Sequence, residues 1–197
     1  MENLDFIKSE MLTHMAFNTH KDPKSILVIN GGKRIQRELE KYNTYREIIH
    51  VDGSDTIEKL TALGAKKFDI AIVSTAEFTN NREFWIELTK VLDSKAVVST
   101  EMSNIFVKAE QAKEELKLAG TIYPIAMPYR YEKAANDTMI SSEYLMLASR
   151  FYHPVADINL QRADLTEGFA YYNSDIATAS FAVPSFIYRD YMGIIKR

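Results

Sequence analysis

Four short apolar runs, separated by segments with helical spacing, constrain the fold of this 197-residue chain more than any other feature. The runs are rich in β-branched residues and occupy residues 26–29, 48–51, 70–73 and 95–99. Their length and composition predict strands buried on both faces of a parallel sheet. Between them, apolar side chains recur every three or four residues, a spacing that predicts helices. The predicted helices cover residues 33–42, 56–63, a segment capped by Asn80 or Asn81, and residues 103–119, closed by Gly120 in a left-handed conformation.

Strand and helix therefore alternate four times, which is typical of an α/β fold with a doubly wound, mostly parallel sheet. Beyond Gly120 the pattern changes, because residues 122–127 and 143–149 predict two strands without a long helix between them. We expect this antiparallel C-terminal strand pair to close the sheet. A further helix is predicted over residues 3–17, before the first strand. Since no repeat or long linker divides the chain, we expect a single domain over residues 1–197.

Composition excludes several classes of protein. With 24 basic and 27 acidic residues the chain has a net charge of −3, whereas binding to a nucleic-acid backbone needs a basic surface. The chain has no cysteine, which excludes disulfides, thiolate nucleophiles and Cys-based zinc sites. The histidines lack the spacing of metal ligands, so we expect no metal site, and His50 is expected to be a core residue of its strand. No apolar run approaches the ~20 residues of a membrane span and no signal peptide is recognisable, so we expect a cytoplasmic protein without membrane association.

Candidate binding residues follow the predicted strands, at the edge of the sheet where open α/β sheets bind ligands. Gly31 and Gly32 follow the first strand and would let the backbone approach a ligand, or they form only a turn. Asp52 follows the second strand, where a carboxylate can accept both hydroxyls of a ribose, although Asp52 also fits a turn and helix cap. Glu77 follows the third strand and is either part of the same crevice or simply solvated. The glycines do not form the G-x-G-x-x-G pattern of dinucleotide sites, and no serine lies in a G-x-S-x-G motif.

Several segments, in order along nearly the whole chain, resemble the spermidine synthase family of polyamine aminopropyltransferases. They are residues 10–14 (EMLTH), 19–32 (THKDPKSILVINGG), 67–73 (KFDIAIV), 125–129 (IAMPY), 171–176 (YYNSDI) and 180–186 (SFAVPSF). The two end motifs together are fairly specific, and the diverged epsilonproteobacterial members of the family are the most similar. The resemblance implies a Rossmann-like, methyltransferase-type sheet. It also divides the chain into an N-terminal helix (1–20), a Rossmann-like core (25–128) and an antiparallel strand with a helical C-terminal region (129–197).

The resemblance implies transfer of an aminopropyl group from decarboxylated S-adenosylmethionine, a co-substrate rather than a bound cofactor, to putrescine, giving spermidine and methylthioadenosine. Such an in-line displacement needs carboxylates and tyrosines to hold cations and accept a proton, not a metal. By family position, Gly31, Gly32, Asp52 and Ser74 would bind the donor. Glu77 would correspond to the second acid of the family's D-S-S-D active-site loop, and Tyr129 to the tyrosine near the acceptor amine; these two are the expected catalytic residues. Glu10 and His14 would lie on the substrate side.

The chain also departs from the family pattern. Ser74 replaces the first acid of the D-S-S-D loop, and Lys33 with Arg34 replaces the acid and third glycine of the glycine-rich loop. Lys8 and Ser9 stand where the family usually has a tyrosine and a polar donor contact. Only one helix separates Asp52 from the next apolar run, at residues 70–73. We therefore expect that the strand corresponding to the family's third strand is deleted, or that the second strand is lost and Asp52 is itself the family's third-strand acid. The family's small N-terminal β domain is expected to be absent.

These departures leave other functions open. One is a catalytically degenerate relative that acts as a binding or assembly protein, and another is a methyltransferase that uses S-adenosylmethionine. The aromatic C-terminal segment, residues 171–191, either packs in the core or forms the interface of the homodimer that we expect from the family.

Overall fold

The computed structural model describes residues 4–136 and 139–197, and within these residues six strands form one sheet in the order β2-β1-β3-β4-β6-β5. The strands are β1 (Ser25–Ile29), β2 (Glu47–Val51), β3 (Phe68–Val73), β4 (Leu92–Glu101), β5 (Ile125–Asn136) and β6 (Met139–Ser149). The helices are α1 (Phe6–Thr19), α2 (Gly32–Leu39), α3 (Thr56–Ala62), α4 (Arg82–Lys90), α5 (Ala109–Gly120), α6 (Leu160–Leu165), α7 (Ser174–Ala179) and α8 (Ser185–Asp190).

The sheet confirms the predicted α/β class. Strands β2, β1, β3 and β4 pair in parallel, whereas β6 is inserted antiparallel between β4 and β5. The chain passes from β1 to β2 on one side and then crosses to β3 on the other. The strand order therefore reverses at β1, and open sheets bind ligands beyond the carboxyl ends of the strands at such a point.

The position of the edge strand β2 bears on how Asp52 aligns with the family. Among the described residues β2 pairs only with β1, from Ser25 opposite Glu47 to Ile29 opposite Val51. Asp52 therefore follows the strand next to β1, which is the second-strand position. This favours the interpretation in which the third, outer strand of the family is the missing one.

Two apolar layers cover the two faces of the sheet. Alternate residues of β1 point to opposite faces, so that Leu27 packs in one layer and Val28 in the other. The first layer contains residues of α3, α4 and α5, among them Trp85, and the second contains residues of α1 and α2, among them Phe17. Burial on both faces explains why β1 and β3 form continuous apolar runs. The edge strand β2 is buried only at Val51, so the two-sided burial predicted for residues 48–51 is wrong.

The predicted helix over residues 103–119 is too long at its start, because α5 begins at Ala109. Asn104 Oδ1 accepts hydrogen bonds from the backbone N–H groups of Phe106 and Val107, at 3.0 and 3.3 Å. Such local side-chain bonds compete with helix formation. Gly120 is the last residue of α5 and does not have a positive φ, so the predicted left-handed cap is wrong.

Other boundaries differ by smaller amounts. Helix α1 covers Phe6–Thr19; residue 3, where the predicted helix starts, lies outside the described residues. Strands β5 and β6 are longer than predicted. They form an antiparallel hairpin in which the pairing extends from Ile125 opposite Ser149 to Asn136 opposite Met139. His50 is exposed and bonds Gln36 at 2.9 Å, so its predicted place in the core is wrong. No helix in the described part of the chain combines the length and apolar character that crossing a membrane requires.

Candidate active site

A cleft of about 320 Å³ lies where β4 ends, between the first turns of α1 and α2 and the outer part of β5. Its lining residues are Leu4, Asp5, Lys8, Arg34, Glu101, Tyr131 and Lys133. This volume is at the lower end of the range for small-molecule sites. The cleft lies at the ligand-binding edge of the sheet, since Glu101 is the carboxyl-terminal residue of β4.

Glu101 is the carboxylate at the centre of the cleft's polar contacts. Lys8 Nζ donates to Glu101 Oε1 at 2.8 Å, and Ser74 Oγ donates to the same oxygen at 3.4 Å. Ser74 comes directly after β3, which pairs in parallel with β4, so the sheet itself brings these two side chains together. Within the described residues Oε2 has no hydrogen-bond donor, and it is therefore able to accept a proton or a hydrogen bond from a ligand.

Tyr131 and Lys133 extend the cleft along β5. They point to the same face of the strand because they are two residues apart. Burial, with the nearby charges of Glu101 and Glu143, raises the pKa of the Tyr131 hydroxyl, so this group stays protonated and can donate a hydrogen bond. Lys133 is exposed and makes no ion pair or hydrogen bond with the described residues. Arg34, in the first turn of α2, pairs with Asp5 at 3.1 Å.

The β1–α2 turn places both predicted glycines at the carboxyl end of β1. A Cβ atom at Gly31 would lie 2.3 Å from Val28 Cγ1 and 3.0 Å from Ile35 Cβ, so close packing of helix on strand requires glycine there. Gly32 has a φ of +58°, which only glycine adopts at little cost. Asn30 Oδ1 accepts from the backbone N–H of Gly53 at 2.8 Å and joins this turn to the loop after β2.

Asp52 follows β2 and Glu77 follows β3, two strands that lie on either side of β1. Asp52 is exposed, and in the described part of the chain only its backbone carbonyl is bonded, to Lys59 Nζ at 2.5 Å. Glu77 is also exposed; its backbone N–H bonds Thr75 Oγ1 at 3.2 Å, and its side chain has no partner among the described residues. Both carboxylates can meet a ligand at the sheet edge, although neither lines the cleft.

Glu10, predicted to lie on the substrate side, is buried and accepts hydrogen bonds from backbone N–H groups instead. Its two carboxylate oxygens accept from the N–H groups of Ala170, Tyr171 and Tyr172 at 2.9, 2.8 and 2.9 Å. Lys41 Nζ lies 3.6 Å from the same carboxylate. Glu10 therefore fastens the C-terminal segment to α1, and it does not line the cleft.

His14 is fully buried in a hydrogen-bonded chain between α1 and α2. Its Nε2 lies 2.8 Å from Glu38 Oε2 and its Nδ1 lies 2.8 Å from the Tyr42 hydroxyl. Burial lowers the pKa of His14, so the imidazole is neutral at pH 7. A neutral ring with these partners donates from Nε2 to Glu38 and accepts at Nδ1 from Tyr42. Solvent does not reach it, and it too lies outside the cleft.

Tyr129, predicted to lie beside the acceptor amine, is packed in the apolar layer under α1. Its side chain is fully buried and its hydroxyl bonds Ser99 Oγ at 2.6 Å. Burial raises the pKa of this hydroxyl, which stays protonated. The tyrosine that lines the cleft is Tyr131, on the same face of β5 and two residues further along.

The sequence interpretation missed Glu101 as a site residue, although a signal for it was present. Glu101 directly follows a buried run, as Asp52 does, but the predicted strand ended at residue 99 and β4 continues to residue 101. Lys133 was missed because the predicted strand ended at residue 127, short of the outer part of β5. Within residues 4–136 and 139–197, no group of three His, Asp or Glu side chains is arranged to hold a metal ion.

Residues 5–57, from the start of α1 to the first turn of α3, match the family profile described as spermine/spermidine synthase domain. The chain is similar to the polyamine aminopropyltransferase of Helicobacter pylori (strain HPAG1), with 23% identity over 205 residues that cover 93% of this chain and 76% of the relative. It is also similar to the polyamine aminopropyltransferase of Thermotoga petrophila, with 24% identity over 225 residues that cover 96% of this chain and 75% of the relative.

Among solved structures, a spermidine synthase in complex with the transition-state analogue AdoDATO has a TM-score of 0.83 with this chain. The identity is 20%, and the match covers 97% of this chain and 75% of the other. At 20% identity this structural similarity shows a shared fold only.

Proposed function

We propose that this chain is an aminopropyltransferase with decarboxylated S-adenosylmethionine as donor and putrescine as acceptor, because residues 5–57 match the spermine/spermidine synthase profile and the chain is similar to polyamine aminopropyltransferases over most of its length. The products are then spermidine and methylthioadenosine. The observation that carries this proposal is the free Oε2 of Glu101 in a cleft at the carboxyl ends of β3 and β4. A carboxylate in that position can hold an amine and accept its proton.

The proposed reaction is a single displacement. The neutral acceptor amine attacks the propyl carbon bonded to the sulfonium, a C–N bond forms, and the C–S bond breaks with its electron pair going to sulfur. Methylthioadenosine leaves as a neutral thioether, and the extra proton on the new secondary amine passes to a carboxylate. Alignment of the two substrates supplies most of the rate, and the carboxylate adds roughly 10²- to 10⁴-fold.

The donor is proposed to lie along the carboxyl ends of β1 and β2. Asp52, whose side chain has no partner among the described residues, is the proposed ligand of the ribose hydroxyls. The turn at Gly31 and Gly32 is the proposed backbone contact of the donor. The space beside Gly32 is open, since a Cβ there would meet no atom within 4 Å. Ser74 then lies between the donor and Glu101, to which its hydroxyl already donates.

Glu101 and Glu77 are the two proposed proton acceptors. Glu101 lines the cleft, while Glu77 is the family-position residue on the adjacent loop. Tyr131 is the proposed donor of a hydrogen bond to the acceptor, in the role expected for Tyr129. Glu10 and His14 are proposed to act on the site only indirectly, by fixing α1 against α2 and the C-terminal segment.

The test is mass spectrometry of the protein with decarboxylated S-adenosylmethionine and putrescine. Methylthioadenosine and spermidine are the expected products. Glu101→Gln is expected to lower kcat about 10²- to 10⁴-fold, because the amide cannot accept the proton. Glu114→Gln, at an exposed position of α5, is the matched control and retains activity. A larger loss from Glu77→Gln than from Glu101→Gln would transfer the role of base to Glu77.

A degenerate relative that acts as a binding or assembly protein is the second candidate. The observations in its favour are Ser74 at the position of a family acid and the Lys8 ammonium on Glu101. No product above a protein-free control, at high protein concentration, would favour this candidate. The homodimer and the cytoplasmic location predicted from the sequence remain part of the proposal.

A further inference from the structure

The charges around the cleft do not match a ligand that is only cationic. Lys8, Arg34 and Lys133 line it together with the carboxylates of Asp5 and Glu101, so cations outnumber anions. Decarboxylated S-adenosylmethionine and putrescine carry positive charges alone at neutral pH. Three ammonium or guanidinium groups around such ligands are unfavourable, because like charges repel most strongly where water is partly excluded.

Two of the three cations are already paired, but weakly held. Arg34 lies 3.1 Å from Asp5, and the two side chains are 54% and 53% exposed. Lys8 lies 2.8 Å from Glu101, with side chains 34% and 23% exposed. Ion pairs at this exposure contribute little to stability, so a ligand can replace either partner at small cost.

Lys133 differs from the other two cations because no described residue pairs with it. It lies on the same face of β5 as Tyr131, whose protonated hydroxyl is a second donor in the cleft. A free ammonium and a phenol donor suit a carboxylate, while Glu101 Oε2 suits an ammonium. The cleft therefore offers complementary groups for both ends of a zwitterion.

We propose that this cleft binds an α-amino-acid group, with the carboxylate at Lys133 and Tyr131 and the ammonium at Glu101. This rests on the displacement reaction proposed above and replaces one of the two substrates named there, since neither decarboxylated S-adenosylmethionine nor putrescine has a carboxylate. One source is a donor that keeps its carboxylate, S-adenosylmethionine itself. The other is a diamino acid such as ornithine as acceptor, in place of putrescine.

The displacement balances for either source. With the carboxylated donor, the acceptor nitrogen bonds to the carbon next to the sulfonium, and a 3-amino-3-carboxypropyl group is transferred. With the diamino-acid acceptor, its side-chain amine attacks and an aminopropyl group is transferred. In both cases the C–S bond breaks, methylthioadenosine leaves, and one amine proton passes to a carboxylate or to water.

Isothermal titration calorimetry on the full chain tests the proposal with two ligand pairs. The first compares S-adenosylmethionine with its decarboxylated form, and the second compares ornithine with putrescine in the presence of methylthioadenosine. We expect the carboxylated member of one pair to bind at least about tenfold more tightly, the size of one charge-assisted hydrogen bond. The pair that shows this preference identifies the source.

Lys133→Gln is expected to abolish the preference, while binding of the ligand that lacks the carboxylate stays the same or improves. Lys117→Gln, an exposed lysine of α5 away from the cleft, is the matched control and keeps the preference. Thermal unfolding of both variants checks that they fold. No preference in either pair, or a preference that survives Lys133→Gln, would overturn the proposal.

Turnover separates this inference from the proposed function. Spermidine formation without a carboxylate preference leaves the aminopropyl transfer standing and removes the amino-acid site. A preference abolished by Lys133→Gln, without any spermidine formation, supports the amino-acid site and removes decarboxylated donor plus putrescine as the substrate pair.

Discussion

Gly31 shows how a single missing methyl group shapes the β1–α2 turn. A Cβ there would lie 2.3 Å from Val28 Cγ1, a contact that no side chain tolerates without movement of strand or helix. We expect Gly31→Ala to lower the free energy of unfolding by about 1–3 kcal/mol, as overpacked cores do. Urea denaturation measures this change.

Two further variants isolate the clash at Gly31. Gly32→Ala meets no atom within 4 Å and is expected to cost only the strain of its positive φ, about 1 kcal/mol. Adding Val28→Ala removes the methyl group that the new Cβ would meet, so the double variant should lose less stability than the two single changes together. Simple additivity of the two changes would contradict the packing account.

The site residues show what a sequence can indicate about single side chains. Asp52, Glu77 and the two glycines are predicted as candidates because they follow apolar runs, and the structure places them beyond the carboxyl ends of the strands. Tyr129 was matched by family position, yet a strand pattern does not reveal how far along β5 the core ends. The boundary lies between Tyr129, which is fully buried, and Lys133, which is exposed.

Helix α1 depends on a contact that lies 160 residues away in the chain. Glu10 accepts three backbone N–H groups from residues 170–172, and removal of the carboxylate leaves these donors without a partner. We expect Glu10→Ala to destabilise the protein by about 3 kcal/mol or more, and Glu10→Gln by less, because the amide keeps one acceptor oxygen. Hydrogen exchange of these amides should accelerate in both variants.

Glu114→Ala, at an exposed position of α5, is the control for Glu10→Ala and should leave this exchange unchanged. A Glu10→Gln variant that keeps its stability would point to a different role for this residue. Unchanged stability of Glu10→Gln with a raised KM for a substrate would assign Glu10 to substrate binding, as its place in the family motif suggested.

The elements themselves were predictable where local pattern and burial agree. Strands β1 and β3 lie in the middle of the parallel sheet, and their predicted apolar runs end where the strands end and start one residue late for β1 and two residues late for β3. The start of α5 was not predictable in this way, because Glu115, within the helix, reaches back to Ser103 N and Oγ at 2.7 and 2.8 Å. Together with the Asn104 turn, these bonds hold residues 103–108 in a loop that helical spacing alone does not reveal.

At the scale of the whole molecule, the aromatic C-terminal segment divides between core and surface. Tyr172, Phe181 and Tyr191 are buried, whereas Phe186 is 47% exposed and its ring lies 5.9 Å from the tilted ring of Phe106, which is 44% exposed. Exposed apolar surface of this kind is typical of subunit interfaces. We expect a homodimer with twice the 22.6 kDa mass of the chain by light scattering, weakened by Phe186→Ser. A monomeric mass at micromolar concentration would contradict this expectation.

Stability should fall as the solution becomes more acidic, because buried histidines resist protonation. Burial is the main cause that lowers the pKa of both His14 and His20 below the ordinary 6.5. Below about pH 6.5 the unfolded chain therefore binds protons that the folded protein does not, and the free energy of unfolding decreases. Each histidine contributes at most about 1.4 kcal/mol per pH unit, over the window between 6.5 and its lowered folded pKa.

Urea denaturation between about pH 7.5 and pH 5.5 measures this dependence on the whole molecule. Because both apolar layers pack on one sheet, we expect a single cooperative transition at each pH. His14→Gln should flatten the dependence, whereas His50→Gln, at an exposed position, should leave it as in the unchanged protein. Stability that is constant or rises toward pH 5.5 would show that His14 takes up its proton in the folded state, and the neutral Glu38–His14–Tyr42 chain would then be wrong.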